Sequence, residues 1–245
     1  MISSPLIAMS GSTERHPSIP PHPDLMKHTL TLFLPLLLAS TVALQAADTR
    51  YSPDWASIAP LRVIKHADPD GDSLVKAVAA LQPGEQLVIA AGTHSVGRMW
   101  DIGVSGTAEA PIWIVAEKEA QVILTRPDDK QNVLNIGQGS PVHHLCLRGV
   151  EITGGSHGLR LGQCSEVWID QCHIHHTGEV CLSANSANTR RLFLTRNHNH
   201  HSGGHGEGMY LGANNGEFIM SESVIALNHI HDCKGEQGDG IEVKQ

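Results

Sequence analysis

Short runs of alternating apolar and polar residues recur along the second half of the chain. Four segments align with one another, and each is followed by a glycine-rich turn and a second short alternating run. The aligned segments are residues 145–152, 167–174, 192–199 and 223–230, and the second runs are residues 158–161, 180–182, 208–211 and 240–243. A period of two predicts β-strands, and self-similarity at a regular spacing predicts a repeat architecture.

The spacing of the repeats indicates how the units assemble. The interval between the aligned residues Ile152, Ile174, Asn199 and Ile230 grows from 22 to 31 residues. Such growth indicates that loops lengthen on one side while the strands keep their register. A unit this short without a helix cannot bury its own apolar face, so neighbouring copies must stack. We therefore predict an all-β protein, a parallel β-solenoid over residues 47–245.

The segment before the repeats predicts a short helix that caps the first coil. Residues 48–64 are expected to be extended, and residues 72–81 place apolar side chains at helical spacing after an N-cap candidate. Pro83 and Gly84 end this helix. Strands are predicted to follow at residues 86–93, 112–116 and 122–125.

The N-terminal region has the pattern of an export signal. Residues 26–46 begin with a positive charge, continue as an apolar run and end in small residues, which predicts a cleaved signal peptide and a periplasmic or secreted protein. Pro35 interrupts the apolar run, which is short for a membrane span, so no stable membrane insertion is expected after cleavage. Residues 1–25 resemble no targeting element, and we interpret them as a non-native or mis-annotated extension with the true start at Met26.

Composition narrows the class of ligand. The formal net charge is −8, and no run of Lys or Arg supplies a basic patch, so nucleic acid is excluded as an expected partner. Five cysteines remain after signal removal, an odd number whose irregular spacing fits neither a disulfide scaffold nor a CxxC metal site. The chain is expected to be a monomer.

The sequence resembles the right-handed parallel β-helix proteins of the pectin-lyase-like superfamily. The resemblance is carried by the helix that ends in Pro83-Gly84-Glu85, the strand LVIAAGTH, and the repeats NHNHHSGGHGEGMYLG and NHIHDCKGEQGDGIEVK. It covers about residues 60–245 and implies a right-handed coil. Gln245 follows the last predicted strand with nothing left to cover the final coil, so we expect a C-terminally truncated β-helix. This fold hosts lyases, hydrolases, epimerases and binding proteins alike.

A charged cluster is predicted on the second strands of the last two repeats. Alternation directs Tyr210, Glu242 and Lys244 to the outside, and Glu207 aligns with Asp239 one coil away, about 4.8 Å in a stacked sheet. Two neighbouring carboxylates are costly unless a cation or a substrate group relieves them. The cluster could therefore hold Ca²⁺ or perform acid/base chemistry on a sugar, and a solvated charged edge is the structural alternative.

The functional parallel is the chondroitinase B and alginate lyase family of β-helix enzymes. That family uses Ca²⁺ bound by acidic residues, a Lys base and an Arg on a later coil, and Glu242 and Lys244 in GIEVKQ resemble its Glu-to-Lys stretch loosely. The resemblance implies Lys244 as base and Tyr210 or His231 as proton donor. It implies Glu207, Asp239 and Glu242 as Ca²⁺ ligands. The coil that bears the Arg is missing from this sequence.

Histidines form a second pattern. The alignment stacks His173 with His198 and His229, and His175 with His200 and His231, as two columns on the outer face. His200, His205 and Glu242 are expected to bind substrate. The columns could also be structural, take part in acid/base chemistry, or share a transition metal, which His201 and His205 could join. Asn197 above Asn228 predicts a structural asparagine ladder.

These observations favour an exported β-helix protein that acts on an acidic polysaccharide, most concretely a lyase that uses Ca²⁺ and a Lys base for β-elimination. Three alternatives stay open. The protein could be a non-catalytic carbohydrate-binding β-helix or a periplasmic copper- or zinc-handling protein that uses the stacked histidines. A glycoside hydrolase is the third, although it requires carboxylates placed across a cleft, which adjacent coils fit less well.

Overall fold

The computed structural model describes residues 49–244, which form a solenoid of short parallel strands. The first strands are β1 (Arg62–His66), β2 (Glu85–Ile89), β3 (Gly92–Ser95), β4 (Asp101–Ile102), β5 (Ile112–Ala116), β6 (Val122–Arg126), β7 (Leu134–Ile136), β8 (Val142–Arg148), β9 (Glu151–Gly154) and β10 (Leu159–Leu161). The later strands are β11 (Cys164–Asp170), β12 (His173–Thr177), β13 (Leu182–Ala184), β14 (Thr189–Arg190), β15 (Phe193–Thr195), β16 (His198–Ser202), β17 (Met209–Leu211), β18 (Met220–Ser221), β19 (Val224–Ala226), β20 (His229–His231) and β21 (Ile241–Val243). The predicted all-β solenoid is confirmed.

Each coil contributes to three parallel sheets. Sheet A contains β1, β2, β5, β8 and β11, followed by the paired short strands β14 with β15 and β18 with β19. Sheet B contains β3, β6, β9, β12, β16 and β20, and sheet C contains β4, β7, β10, β13, β17 and β21. Because neighbours within a sheet come from successive coils, equivalent residues of the repeats lie side by side.

The predicted register of the repeats is confirmed. Ile152, Ile174, Asn199 and Ile230 are direct neighbours across sheet B. Asn199 is fully buried among apolar residues, and its side-chain amide donates to the Gly208 carbonyl at 3.1 Å. Alternation therefore leaves the residues on either side of this column on the outer face of the sheet.

Some segments that the sequence pattern predicts as single strands are two strands, separated by a corner where the chain passes from one sheet to the next. The predicted strand at 86–93 is two strands, since β2 ends at Ile89 and β3 begins at Gly92, whose φ of +152° favours glycine. The aligned repeat segments likewise cross a corner between sheets A and B. In sheet C, β13 starts at Leu182 and pairs there with Leu159, so the prediction of a strand at 180–182 was wrong by two residues.

Stacked aliphatic side chains form the core. In sheet A, Ile114, Leu147, Ile169 and Leu194 are in register and buried. Full burial of such a side chain contributes about 1.5–3 kcal/mol. The repetition of this contact from coil to coil supplies the stability that one short unit lacks.

The N-terminal end carries the helix α1 (Gly71–Ala79), close to the predicted 72–81. The Asp70 side chain caps it by accepting a hydrogen bond from the backbone N–H of Asp72 at 2.9 Å. Leu74 and Val78 are buried in the same core as the coils. The helix thus presents its apolar face to the solenoid, as the prediction of a capping helix requires.

The segment before β1 is not simply extended. It contains 3₁₀ turns at Thr49–Tyr51 and Asp54–Ser57. Trp55 is buried against Trp113 and Trp168 on the outer face of sheet A, with ring centroids 5.6 and 6.1 Å away. The expectation of an extended segment was wrong because this aromatic contact draws the chain into turns.

The remaining sequence expectations for this part concern export and cysteine chemistry. The proposed extension at 1–25 and the signal peptide at 26–46 lie outside the described residues. Within residues 49–244, no helix has the length and apolar character needed to cross a lipid bilayer. All five cysteines are free, and burial raises the pKa of the Cys172 thiol to about 12, which keeps it protonated and unreactive.

Candidate functional site

A row of polar side chains follows the outer face of sheet C. Its members occupy register-equivalent positions on successive strands, between inward-facing residues such as Leu159 and Leu161. The row, called the polar row below, consists of Asp101, Asn135, Arg160, Ser183, Tyr210 and Glu242. Two predicted site residues, Tyr210 and Glu242, therefore belong to a longer line than the sequence analysis considered.

Several buried polar atoms in and beside the polar row have no hydrogen-bond partner among the described residues. They are Arg160 Nε, Ser183 Oγ, Glu242 Oε2, His157 Nδ1 and Glu207 Oε2. An unpaired buried polar group is costly, so the atoms of Arg160, Ser183 and His157 each need an explanation such as a ligand or an ion. The carboxyls of Glu207 and Glu242 interact with each other. Five of the twelve unpaired buried atoms among the described residues lie on this face, beside a continuous row of polar and charged side chains, which makes it the candidate substrate-binding surface.

Glu207 and Asp239 are backbone neighbours in consecutive coils, as the alignment predicts, but their side chains differ in burial. The Gly208 N–H donates to the Asp239 carbonyl at 3.0 Å, which fixes this register. Glu207 is only 2% exposed, whereas Asp239 is exposed. Burial, and then the charge of Glu242, raise the pKa of the Glu207 carboxyl. The carboxyl that acts on Glu207 is therefore that of Glu242.

Lys244 is engaged by the same carboxylate. Its Nζ forms an ion pair with Glu242 Oε1 and lies 6.0 Å from the centroid of the Tyr210 ring. The hydrogen bond to Glu242 raises the pKa of Lys244. A base for proton abstraction needs a lowered pKa, so this pair acts against the role that the sequence analysis expected and keeps Lys244 cationic.

The predicted Ca²⁺ ligands do not gather. Among the described residues, three groups bring at least three possible ligand atoms within 4.8 Å of one another, and a set of Glu207, Asp239 and Glu242 is not one of them. Ca²⁺ takes six to eight oxygen ligands. Two converging carboxylates, one already paired with Lys244, fall short of that donor set, so Ca²⁺ binding stays a prediction.

Arg160 and His157 also belong to this face, although neither was predicted as a site residue from the sequence. Arg160 Nη2 lies 3.4 Å from Asn185 Oδ1, and burial lowers its pKa. Burial, and then the charge of Arg160, lower the pKa of His157 to about 4. The signal was present, because Arg160 holds the repeat position of Tyr210 and Glu242. The site therefore has an arginine on an earlier coil.

Three predicted residues lie away from the polar row. His200 and His231 belong to sheet B, so His231 does not share a face with Lys244. His205 is exposed in the loop between β16 and β17, where its backbone N–H donates to Glu179 Oε2 at 2.9 Å. The predicted site residues thus lie on two surfaces: the outer face of sheet C with the polar row, and a histidine face on sheet B.

The histidine face is an ordered stack on the outside of sheet B. His173, His198 and His229 are in register, and so are His175, His200 and His231, as the alignment predicts. Ring centroids within these columns are 4.7–5.0 Å apart with interplanar angles of 5–11°. A third column, unforeseen, stacks His176 on His201 at 4.7 Å.

The columns also contact each other through their nitrogens. His173 Nε2 lies 2.7 Å from His200 Nε2, and His198 Nε2 lies 2.8 Å from His231 Nε2. Burial, followed by the charges of His198 and neighbouring imidazoles, lowers the pKa of His200 to about 4. The imidazole of His200 is therefore neutral at pH 7.

Comparison with known proteins supports the fold. The family described as right-handed beta helix region matches residues 132–245. An alginate lyase from Paenibacillus sp. str. FPU-7 is similar over 74% of this chain and 64% of its own, with 22% identity and a TM-score of 0.54. The pectate lyase Pel9A is similar over 64% and 46%, with 19% identity and a TM-score of 0.52. No curated protein sequence matches the chain.

The three parallel sheets and these matches define the class of protein. The chain has the fold of a right-handed parallel β-helix. It spans less than two thirds of the length of either lyase structure. At these identities the likeness establishes the fold, and the reaction must be argued from the site.

Proposed function

We propose that the chain is the polysaccharide-binding β-helix of an exported lyase that acts on an acidic polysaccharide. The observation that carries this proposal is the polar row with its unpaired buried polar atoms. The similar structures support it, because one is named an alginate lyase and the other a pectate lyase, and both substrates are polyuronates. Export to the periplasm or the medium is part of the proposal and rests on the signal-like residues 26–46.

Two separated cations, one in the polar row and one beside its end, suit a linear polyanion. Arg160 and Tyr210 are two strands apart in sheet C, about 10 Å at the usual strand spacing. Lys244 lies beside Tyr210 and the end of the row. Arg160 binds one uronate carboxylate of the chain, and Lys244 neutralises another near the reacting sugar.

β-Elimination requires three roles at the reacting uronate. A base removes the proton next to the carboxylate, the electron pair forms the new carbon–carbon double bond, and the glycosidic oxygen leaves with a proton from an acid. We assign Lys244 to neutralise the carboxylate, in place of the base role expected from the sequence, because Glu242 keeps it protonated. Glu207 then serves as the base, since burial raises its basicity, and Tyr210 donates the proton.

Absorbance of the unsaturated product tests this function. The chain, with Ca²⁺ present, is incubated with alginate, pectate or chondroitin, and an ultraviolet signal is expected with one of them. Glu207→Gln should reduce turnover at least about 100-fold while leaving polymer binding intact, because a general base contributes 10²–10⁴-fold. Glu236→Gln, at an exposed position, is the matched control. Absence of product with every polymer, or an unaffected Glu207→Gln variant, contradicts the assignment.

A non-catalytic carbohydrate-binding protein is the second candidate function. It is favoured by the ion pair of Lys244 with Glu242, which keeps the lysine protonated and therefore unable to accept a proton as a base. This alternative predicts that a polyuronate binds the polar row with no product formed. It also predicts that Glu207→Gln changes neither property.

A further inference from the structure

The outer face of sheet B carries a histidine array that the proposed polysaccharide site does not use. The array consists of His173, His175, His176, His198, His200, His201, His229 and His231. Stacking at 4.7–5.0 Å follows from the spacing of the strands alone. The contacts between columns do not follow from that spacing, because they bring imidazole nitrogens together diagonally from neighbouring strands.

We propose that the histidine array is a binding site for divalent transition-metal ions of the zinc and copper type. Three groups of side chains each bring one ligand atom per residue within 4.8 Å of the others. The groups are His173 with His198 and His200, His198 with His229 and His231, and Glu151 with His173 and His175. Imidazole nitrogens suit zinc and copper, whereas Ca²⁺ and Mg²⁺ prefer oxygen.

The geometry is close to that of a bound ion. Zinc–nitrogen bonds of 2.0–2.1 Å in a tetrahedron place ligand nitrogens about 3.3 Å apart. The ligand atoms of the array lie 2.7–4.8 Å from one another, so small rotations of the side chains would bring them to the spacing of a bound ion. Glu151 Oε1 lies 3.2 Å from His175 Nε2, so the carboxylate can either ligate an ion or orient that ring.

The overlap of the groups fixes the number of ions. The group that contains Glu151 and the group that contains His229 share no residue, so both can be filled at once. The central group takes one residue from each of them, so it is complete only when both outer sites are empty. We therefore expect two ions per chain at saturation, bound to the two outer groups.

Equilibrium dialysis with Zn²⁺ or Cu²⁺ at neutral pH tests the site. The unmodified chain is expected to retain two ions. The double variant His173→Ala and His198→Ala breaks every group and should retain none, whereas His229→Ala with His231→Ala breaks only one outer group and should retain one. His143→Ala, which removes an exposed histidine on sheet A, is the matched control and should retain two. Far-UV circular dichroism verifies that each variant keeps the fold.

One measurement needs no substitution. Electron paramagnetic resonance of the Cu²⁺-loaded chain should show hyperfine coupling to two or more imidazole nitrogens. The proposal is overturned if the unmodified chain binds neither ion, if the double variant of His173 and His198 folds and binds as much as the unmodified chain, or if the Cu²⁺ spectrum shows only oxygen ligands. None of these readouts depends on polysaccharide turnover, so the metal site and the proposed lyase function can fail independently.

Discussion

At the scale of single residues, charged groups on the outer face of sheet C differ in protonation because they differ in surroundings. Glu242 stabilises the cation of Lys244 and at the same time raises the pKa of Glu207. His157 is buried beside the positive charge of Arg160, which favours its neutral form. These opposite shifts are typical of sites that bind or transform a charged ligand.

Removing the charge of Glu242 should lower the pKa of the Glu207 carboxyl. In Glu242→Gln the like charge is gone, so the pKa of the Glu207 carboxyl is expected to fall towards the ordinary glutamate value. Carboxyl carbon chemical shifts followed by NMR across a pH titration measure this change. Glu236→Gln serves as the control, and a Glu207 titration identical in both variants would contradict the described contact.

His157 should make stability depend on pH between about 4 and 6.5. Its pKa is about 4 in the folded chain against 6.5 for an ordinary histidine, so in that window the unfolded chain binds the proton and the folded chain does not. The contribution is complete above pH 6.5 and is lost as the pH falls to 4, by about 3 kcal/mol. Urea unfolding at several pH values should show a smaller pH dependence for His157→Gln, and His143→Gln should match the unmodified chain. If the free energy of unfolding of His157→Gln depends on pH as steeply as that of the unmodified chain, the pKa of His157 is not lowered in the folded chain.

At the scale of elements, the corner between sheets A and B is held by an asparagine ladder, as the sequence predicts. Asn197 Oδ1 accepts from the Cys172 N–H at 3.0 Å, and Asn197 Nδ2 donates to the Ile169 carbonyl at 3.0 Å and to Asn228 Oδ1 at 3.1 Å. The neighbouring corner residues Gln171, Arg196 and Leu227 share positive φ values of 53–59°. One turn geometry is thus repeated from coil to coil.

Asn197→Ala should destabilise the chain by roughly 3 kcal/mol, because it leaves the Cys172 N–H and the Ile169 carbonyl buried without their partner. Denaturant unfolding measures the loss. Asn214→Ala, in an exposed 3₁₀ turn, is the matched control and should change stability by less than about 0.5 kcal/mol. A loss for Asn197→Ala as small as that of the control would show that the ladder does not support the corner.

At the scale of the whole molecule, the repeat made most of the fold predictable from the sequence. A register-preserving period places His173, His198 and His229 in one column whatever the loops do, so the alignment alone was sufficient. The sequence predicts a strand that stops at Gly92, but the corner between Ile89 and Gly92 was missed because the apolar residues Ala90 and Ala91 continue through it. The partner of Glu207 could not be predicted, because side-chain direction and burial, rather than backbone register, decide between Asp239 and Glu242.

Arg160 shows how the candidate site was underestimated. Its position in the repeat matches that of Tyr210 and Glu242, so the alignment of the coils already contained this member of the polar row. In the folded chain it supplies a cation two strands from Tyr210. We therefore propose Arg160, on an earlier coil than the family resemblance implies, as the arginine that binds the polysaccharide.

Calorimetric titration of a short oligouronate into Arg160→Ala tests whether acidic polysaccharide binds the polar row. Loss of a charge-assisted hydrogen bond is expected to weaken binding by about 10- to 100-fold. Arg62→Ala, which removes an exposed arginine from β1 of sheet A, should bind as the unmodified chain does. Equal affinity of Arg160→Ala and the unmodified chain, or a loss of binding confined to Arg62→Ala, would show that the polysaccharide does not bind the polar row.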